Sequence, residues 1–400
     1  MTITLLLDLD NTLLGNPMQV FLPAYMEALS RYVAATIRPD HFLTKLMDAT
    51  WRMLQNQDPD CLLKDVFDAH FYPALGVEKE AITPLIDRFY TEVFPSLKPL
   101  TQPRPAAVHL VEQALKRDYQ LAIATSPLFP LTAIEQRLEW AGLSPSRYPF
   151  ALISSYETFH FAKPNPAYLA ELLARLGWPA YPVMVGNDPN DDIKCAQALG
   201  VASFLLIDDG AGIINKNGRS ASGSLDDVLE WIEATPVDEL APDYTSPSAI
   251  QAILSSTPAA IHTLIGELPA AELSPRNRPD EWSLTEILCH LRDVEVEVNI
   301  PRLEKLISET NPFIPGQDTD PWAQERQYIH QDGSAAFIRF SRARRVTCDL
   351  LGQLTPQDWQ RPARHAIFGP TQLNEIASII AGHDRLHIQQ ILAEIESKVI

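Results

Sequence analysis

"LLLDLDNTLL", Leu5 to Leu14, places two aspartates, Asp8 and Asp10, at the end of an apolar run. Such a run reads as a buried strand, Ile3 to Leu9, where an unpaired charge is costly. Two carboxylates at its end either cap a turn or face a crevice in which they do chemistry. Side chains of an extended segment repeat every second residue, so both are expected to point the same way.

Working outward, further short apolar runs follow at Leu121–Ala124, Ala151–Ile153, Pro182–Val185 and Ala202–Ile207, each followed by turn residues and an amphipathic stretch. Strands alternating with helices predict a parallel sheet covered on both faces, an α/β fold. From about residue 14 to 100 the pattern is helical throughout, too long for one strand-to-helix connection, and is expected to be an inserted helical cap. The α/β domain is assigned to residues 1–235 and a proline-bearing linker to 236–247. "RSASGS", Arg219 to Ser224, reads as a low-complexity loop. Residues 248–400 carry long helical patterns near Ser248–Leu268, Ser283–Ser308, Ser334–Gln353 and Gln372–Ser397, with no convincing strand. They predict an all-α four-helix bundle.

In an open parallel sheet, reactive groups collect beyond the carboxyl ends of the strands. There the sequence puts "DLDNT", then "ATS" at Ala124–Ser126, "FAKPNP" at Phe161–Pro166 and "VGNDPNDD" at Val185–Asp192. A carboxylate such as Asp8 can attack phosphorus and form an aspartyl-phosphate. Mg²⁺, which favours a few carboxylates plus water, would hold nucleophile and phosphate together, with Asp188 as one ligand. Asp10 can protonate the leaving oxygen and then activate water. Thr125 can hydrogen-bond the phosphoryl group, and Lys163 can offset its charge.

With those residues in place, the first half resembles the haloacid dehalogenase-like (HAD) hydrolase superfamily over about residues 1–235. Asp8-Leu9-Asp10-Asn11-Thr12-Leu13 matches its first motif, Thr125 the second, Lys163 the third, and Gly186-Asn187-Asp188 to Asp192 the fourth. The resemblance implies a Rossmann-like core with a helical cap and hydrolysis through a phospho-aspartate on Asp8. An acid at Asp10 points to phosphate esters rather than carbon–halogen bonds. The fourth motif usually begins Gly-Asp, whereas Asn187 follows Gly186 here. Asp188 with Asp192, or Asn187 with Asp191, fills the acidic positions; Asp188 and Asp192 are preferred because an asparagine ligand would forfeit a charge. The expected metal set is thus Asp8, Asp10, Asp188 and Asp192, and the expected substrate a small phosphorylated metabolite. A phosphomutase is the alternative for this half.

In the last helical pattern, "AGHDRLHIQQI" sets His383 and His387 four apart, continuing an inward seam of Leu373, Ile376 and Ile380. They are either buried core histidines or a metal pair. No glutamate follows the first, which disfavours a metalloprotease H-E-x-x-H. His290, on a face with Ile287 and Val294, can stand opposite, and three imidazoles suit Zn²⁺, Ni²⁺ or Fe²⁺. Glu281-Trp282-Ser283-Leu284, His290 and His383-x-x-x-His387 give residues 247–398 a resemblance to the DinB-like (DinB/YfiT) four-helix bundles. The resemblance implies a divalent metal on those three histidines. A thiol-dependent transferase or a metal-stabilised interaction module is the alternative function, with a homodimer through the bundle as one expected assembly.

Composition narrows the partners. Net charge is −19, with acid exceeding base in both halves, so the basic footprint of a nucleic-acid binder is missing. "RFSRARR", Arg339 to Arg345, reads as a solvated helix face or a small anion site. No uninterrupted apolar segment of membrane-spanning length or secretory leader pattern occurs, and no membrane partner is expected. The 4 scattered cysteines fit a reduced compartment, and a cytoplasmic location is expected.

Overall fold

Thr4, Leu5, Leu6 and Leu7 are buried on both faces of the sheet, as expected of a central parallel strand. The computed structural model describes residues 2–34, 37–207, 212–266, 268–278 and 280–399. Residues 35 and 36 of the first cap helix pattern, and residue 267 of the first bundle pattern, lie outside them. The chain divides into two compact units, residues 1–169 with 179–242, and residues 170–178 with 243–400.

The first unit is a Rossmann-like α/β core. Strand β1 (Thr4–Leu7) is followed by the two-residue β2 (Leu14–Gly15), which pairs antiparallel with β3 (Gln102–Pro103). Between these short strands lie the cap helices α1 (Met18–Val33), α2 (Pro39–Leu54), α3 (Leu63–Leu75) and α4 (Lys79–Glu92). Aromatic rings knit the cap together; Tyr25 meets Phe89 and Phe94 edge to face at centroid distances of 6.0 Å. Then come α5 (Pro105–Leu115), β4 (Gln120–Ile123), α6 (Leu131–Trp140), β5 (Phe150–Ile153), α7 (Pro166–Arg175) and β6 (Pro182–Gly186). A π-helical turn at Pro189–Lys194 runs into α8 (Cys195–Ala198), followed by β7 (Ala202–Leu206), β8 (Ile214–Asn217), β9 (Ser220–Gly223), α9 (Asp227–Ala234) and α10 (Val237–Leu240).

The main sheet runs β5-β4-β1-β6-β7-β9-β8, parallel except for the final β8–β9 pair. Two elements differ from expectation. "RSASGS" is not a loop: Ser220–Gly223 form β9, with Ala221, Ser222 and Gly223 buried beside β7. Small residues there mask a strand, since the usual β-branched signature is missing. The proline-bearing stretch after residue 235 is also not wholly irregular, because it contains α10.

The second unit is the four-helix bundle. Its helices are α11 (Pro247–Ile265), α12 (Leu284–Val294) continued through a π-helical segment at Glu295–Asn299 into α13 (Ile300–Ser308), then α14 (Trp322–Glu325), α15 (Gly333–Gly352) and α16 (Leu373–Val399). A three-stranded sheet of β10 (Phe313–Ile314), β11 (Pro362–His365) and β12 (Gly369–Gln372) interrupts the helices, so the unit is not purely helical. Strands this short leave little alternation to read.

The Arg339–Arg345 run is not simply a solvated face either. Arg344 is buried in the bundle, donating from Nε to Glu295 Oε1 at 2.8 Å and from Nη2 to Asp384 Oδ1 at 3.0 Å. Among the described residues no helix is long and apolar enough to cross a membrane.

Candidate functional sites

Strand β1 stops at Leu7, earlier than its apolar run suggests, and the D-x-D lies in the turn beyond. Asp8 N still donates to Val185 O at 3.0 Å, after which Thr12, Leu13 and Leu14 all donate their amides to Leu9 O. Asn11 takes φ 61, a left-handed conformation that asparagine tolerates. Leu9, Leu13 and Leu14 are fully buried and anchor the turn in the core. Apolar anchoring, rather than strand alternation, fixes the two aspartates.

Asp8 is gripped on both oxygens. Lys163 Nζ donates to Oδ1 at 3.0 Å, and Thr12 Oγ1 to Oδ2 at 2.8 Å. Thr12 Oγ1 also lies 3.1 Å from Asn187 Oδ1. Lys163 donates as well to Asp192 Oδ1, whose other oxygen accepts Asp188 N at 2.9 Å. Gly186 makes this fold-back feasible, because a Cβ there would collide with the Asp192 carboxylate. Asp188 itself caps the π-helical turn, its Oδ1 accepting Asn190 N at 2.7 Å and Asp191 N at 2.9 Å. The structure therefore commits Asp192 to Lys163 and Asp188 to a cap, and sets Asn187 beside Thr12.

Asp10 has a different pair of holders. Asn16 Nδ2 donates to Oδ1 at 2.7 Å, and Arg137 Nη1 pairs with Oδ2. Arg137 is fully buried on α6, stacked 4.5 Å from the Phe129 ring centroid, with Nε donating to Ala133 O at 3.3 Å. Its Nη2 has no hydrogen-bond partner among the described residues. Thr125 is buried at the end of β4, its carbonyl accepting Ser154 Oγ at 2.7 Å and Tyr168 Oη at 2.8 Å. Asn16 and Arg137 were missed in the sequence. "EQRLEW" offers Arg137 only as one charge on an amphipathic helix.

Burial is the largest influence on Asp8, pushing its carboxyl up to about 7; Lys163 opposes this, while Asp192 and Asp10 add to it. Burial disfavours the Lys163 ammonium, but Asp8 and Asp192 outweigh it and hold its pKa well above the ordinary lysine value. Burial and then Asp188 raise the half-buried Asp191. Asp8, Asp10, Asp188, Asp191 and Asp192 thus outnumber Lys163 and Arg137, and their hard oxygens fit Mg²⁺.

The histidines form a tighter site. A capping box of Ser283 and Glu286 starts α12, with Arg276 Nε donating to Glu286 Oε2 at 2.7 Å. From α12 and α16, His290 Nε2 and His387 Nε2 come to 3.1 Å and 3.0 Å from His383 Nε2. Metal–nitrogen bonds of about 2.1 Å at tetrahedral or octahedral angles require nitrogens roughly 3.0–3.4 Å apart. Two of the three pairs meet that spacing and all three ligand atoms lie within 4.8 Å of one another, so the cluster can hold a divalent cation. Burial, assisted by His387, lowers His290 to about 3; burial and both neighbours lower His383 to about 2; burial lowers His387 to about 4. All three are neutral at physiological pH, with lone pairs to offer. Gln390 Oε1 lies 2.7 Å from His387 Nδ1, so a proton held there leaves His387 Nε2 as the ligand atom. Trp282 stacks nearly parallel to His387 at 6.1 Å, beside an open cavity of about 740 Å³. Gln390 carried no sequence signal beyond its place one turn after His387.

The haloacid dehalogenase-like hydrolase family model matches residues 5–206, and that of the DinB superfamily residues 253–391. A phosphoglycolate phosphatase of Mesorhizobium japonicum is 26% identical over 196 residues, covering 48% of this chain and 78% of that protein. A protein of Oceanobacillus iheyensis named as a metal-dependent hydrolase is 27% identical over 139 residues, covering 34% of this chain and 79% of its own. The structure of a HAD phosphatase from Thermococcus onnurineus aligns at 18% identity and a TM-score of 0.37, covering 59% of this chain and 99% of that one.

Proposed function

The chain belongs to the haloacid dehalogenase-like hydrolases and carries a DinB-superfamily domain, and from that premise we propose that it is a Mg²⁺-dependent phosphatase acting on a small phosphomonoester. The observation that carries this is Asp8, held between Lys163 Nζ and Thr12 Oγ1 with Asp10 two residues on. One Asp8 oxygen attacks phosphorus and displaces the alcohol, which Asp10 protonates; Asp10 then takes a proton from the water that hydrolyses the aspartyl-phosphate. Lys163 and Thr125 stabilise the phosphoryl oxygens. Asn16 and Arg137 orient Asp10 for both transfers. Mg²⁺, when bound by Asp8, Asp10 and motif-four donors, neutralises charge between nucleophile and phosphate. The metal ligands expected at Asp188 and Asp192 stay in this set beside Asn187 and Asp191.

Asp8→Asn should abolish Mg²⁺-dependent hydrolysis of an aryl phosphate; full activity in that variant would overturn the reading. Release of inorganic phosphate, rather than isomerisation of a sugar phosphate, separates a phosphatase from a phosphomutase.

The convergent imidazoles support a second reading for the bundle. His290, His383 and His387, which all line the adjoining cavity, would hold a divalent transition metal, Zn²⁺, Ni²⁺ or Fe²⁺. The bundle then acts as a metal-dependent hydrolase, a thiol-dependent transferase or an interaction module. Elemental analysis of the purified chain should find near-stoichiometric metal that falls sharply in His383→Ala; unchanged content would end this assignment.

A further inference from the structure

Inside the cap is a cavity of about 290 Å³. Its walls come from α1, α2, α3 and α4, the loop after β4, and Tyr156. Packed interiors leave few voids larger than a water, so a space of this size is a feature to be filled.

The walls carry aliphatic, thioether and aromatic side chains, and no lining residue bears a charge. Met18, Met26, Met47 and Met53 are 4 of the chain's 6 methionines, a pliable surface for an irregular apolar guest. Polar capacity is small. Tyr25 Oη and Tyr90 Oη lie 2.8 Å apart and share one hydrogen bond, Thr50 Oγ1 donates to Leu46 O at 2.8 Å, and the remaining wall hydroxyls are those of Tyr72 and Tyr156.

The cavity abuts the catalytic carboxylates through both side chains that hold Asp10. Asn16 Nδ2 lies 3.8 Å from Met18 Sδ on its wall, and Arg137 stacks on Phe129, which forms another part of that wall. Resting on the phosphatase reading above, we propose that this cavity receives the organic half of the substrate, and that the ester is the phosphate of an uncharged, predominantly apolar alcohol or phenol. A carboxylate placed there would lose its water and meet no cation on the walls. Arg137, which stacks on Phe129 of the wall, is paired through Nη1 with Asp10, and only its Nη2 has no partner among the described residues. Since a cavity of about 150 Å³ accommodates benzene, the guest is roughly twice that size at most. The chain is thereby set apart from an enzyme for phosphoglycolate, whose organic half is a carboxylate.

The test uses the full chain with Mg²⁺ and three alkyl esters of comparable intrinsic reactivity: 2-phenylethyl phosphate, ethyl phosphate and 2-phosphoglycolate. The kcat/KM should fall in that order, by roughly a hundredfold from first to last. Thr50→Phe, which fills the cavity from a half-buried position, should raise KM for 2-phenylethyl phosphate at least about tenfold while sparing ethyl phosphate. Binding of 2-phenylethanol, followed by saturation-transfer NMR, reads the cavity without turnover. Equal or better use of 2-phosphoglycolate would overturn the assigned class and leave the phosphatase standing. Absence of 2-phenylethanol binding would also overturn the class, even if Thr50→Phe does not fold. If no ester is hydrolysed but 2-phenylethanol binds, the phosphatase reading has failed while the cavity's affinity for apolar alcohols stands.

Discussion

Asp8 and Asp10 are close in sequence but held by separate sets of side chains, a separation that, in the mechanism proposed above, lets one attack while the other moves a proton. Lys163 and Thr12 orient the first; Asn16 and Arg137 orient the second. Arg137→Met should lower kcat for an aryl phosphate by about a hundredfold, the scale of a lost proton-transfer group, and Arg137→Lys should recover part of it. Steady-state kinetics on both variants checks this; equal losses would deny a role for the charge. Gly186→Ala forces a Cβ into the Asp192 carboxylate and should cut kcat/KM on the order of tenfold or more by displacing Lys163's second partner. The positions of Asp8 and Thr125 were legible because strand ends can be read from apolar runs, whereas Lys163 lies in the loop between β5 and α7 and was found by its motif. Those of Arg137 and Asn16 were not, because linear spacing does not tell which side chain of a helix or turn folds back onto a distant strand. Motif four was ambiguous for the same reason. Which of Asp188, Asp191 and Asp192 caps, pairs or ligates depends on the π-helical turn that carries them.

At the scale of elements, the π-helical segment Glu295–Asn299 places an acid in the bundle interior. Glu295 is fully buried, accepting Arg344 on both oxygens and Asn299 Nδ2 at 2.8 Å. Burial opposes its ionisation, but Arg344 outweighs burial and holds the carboxyl below the usual glutamate range. Because the folded value lies below the unfolded one, this stabilisation is complete above the ordinary glutamate pKa. It is lost as pH falls through the folded value. Glu295→Gln leaves Arg344 paired with Asp384 alone and should cost about 1.5–3 kcal/mol near neutrality, the scale of lost hydrogen bonds to a charged group, with a weaker dependence of stability on acid. Denaturant melts across the acid range measure both effects. The long amphipathic helices were legible from their 3.6-residue period. Strand β9 was not, since Ser220–Gly223 are small residues whose burial comes from their neighbours rather than their own hydropathy. The Arg339–Arg345 run misled for the opposite reason: its charges suggest solvent, while Arg344 finds two buried carboxylates on other helices.

For the whole molecule, the sequence carried the division into an α/β half and a helical half because their periodicities differ. The small sheet of the second half stayed hidden in strands of two to four residues. Two chemistries on one chain predict separable losses. His383→Ala should deplete the bundle metal and leave phosphate-ester hydrolysis within about twofold, whereas Asp8→Asn should do the reverse; parallel elemental analysis and kinetics would detect any crossover. The central claim is that Asp8 is the nucleophile, and its most direct test is chemical trapping. The full chain is mixed with Mg²⁺ and a phosphorus-labelled aryl phosphate, quenched in acid and digested. A hydroxylamine-labile label on the peptide bearing Asp8, missing in Asp8→Asn, is the predicted result. Undiminished hydrolysis by Asp8→Asn, with no label on that peptide, would contradict it.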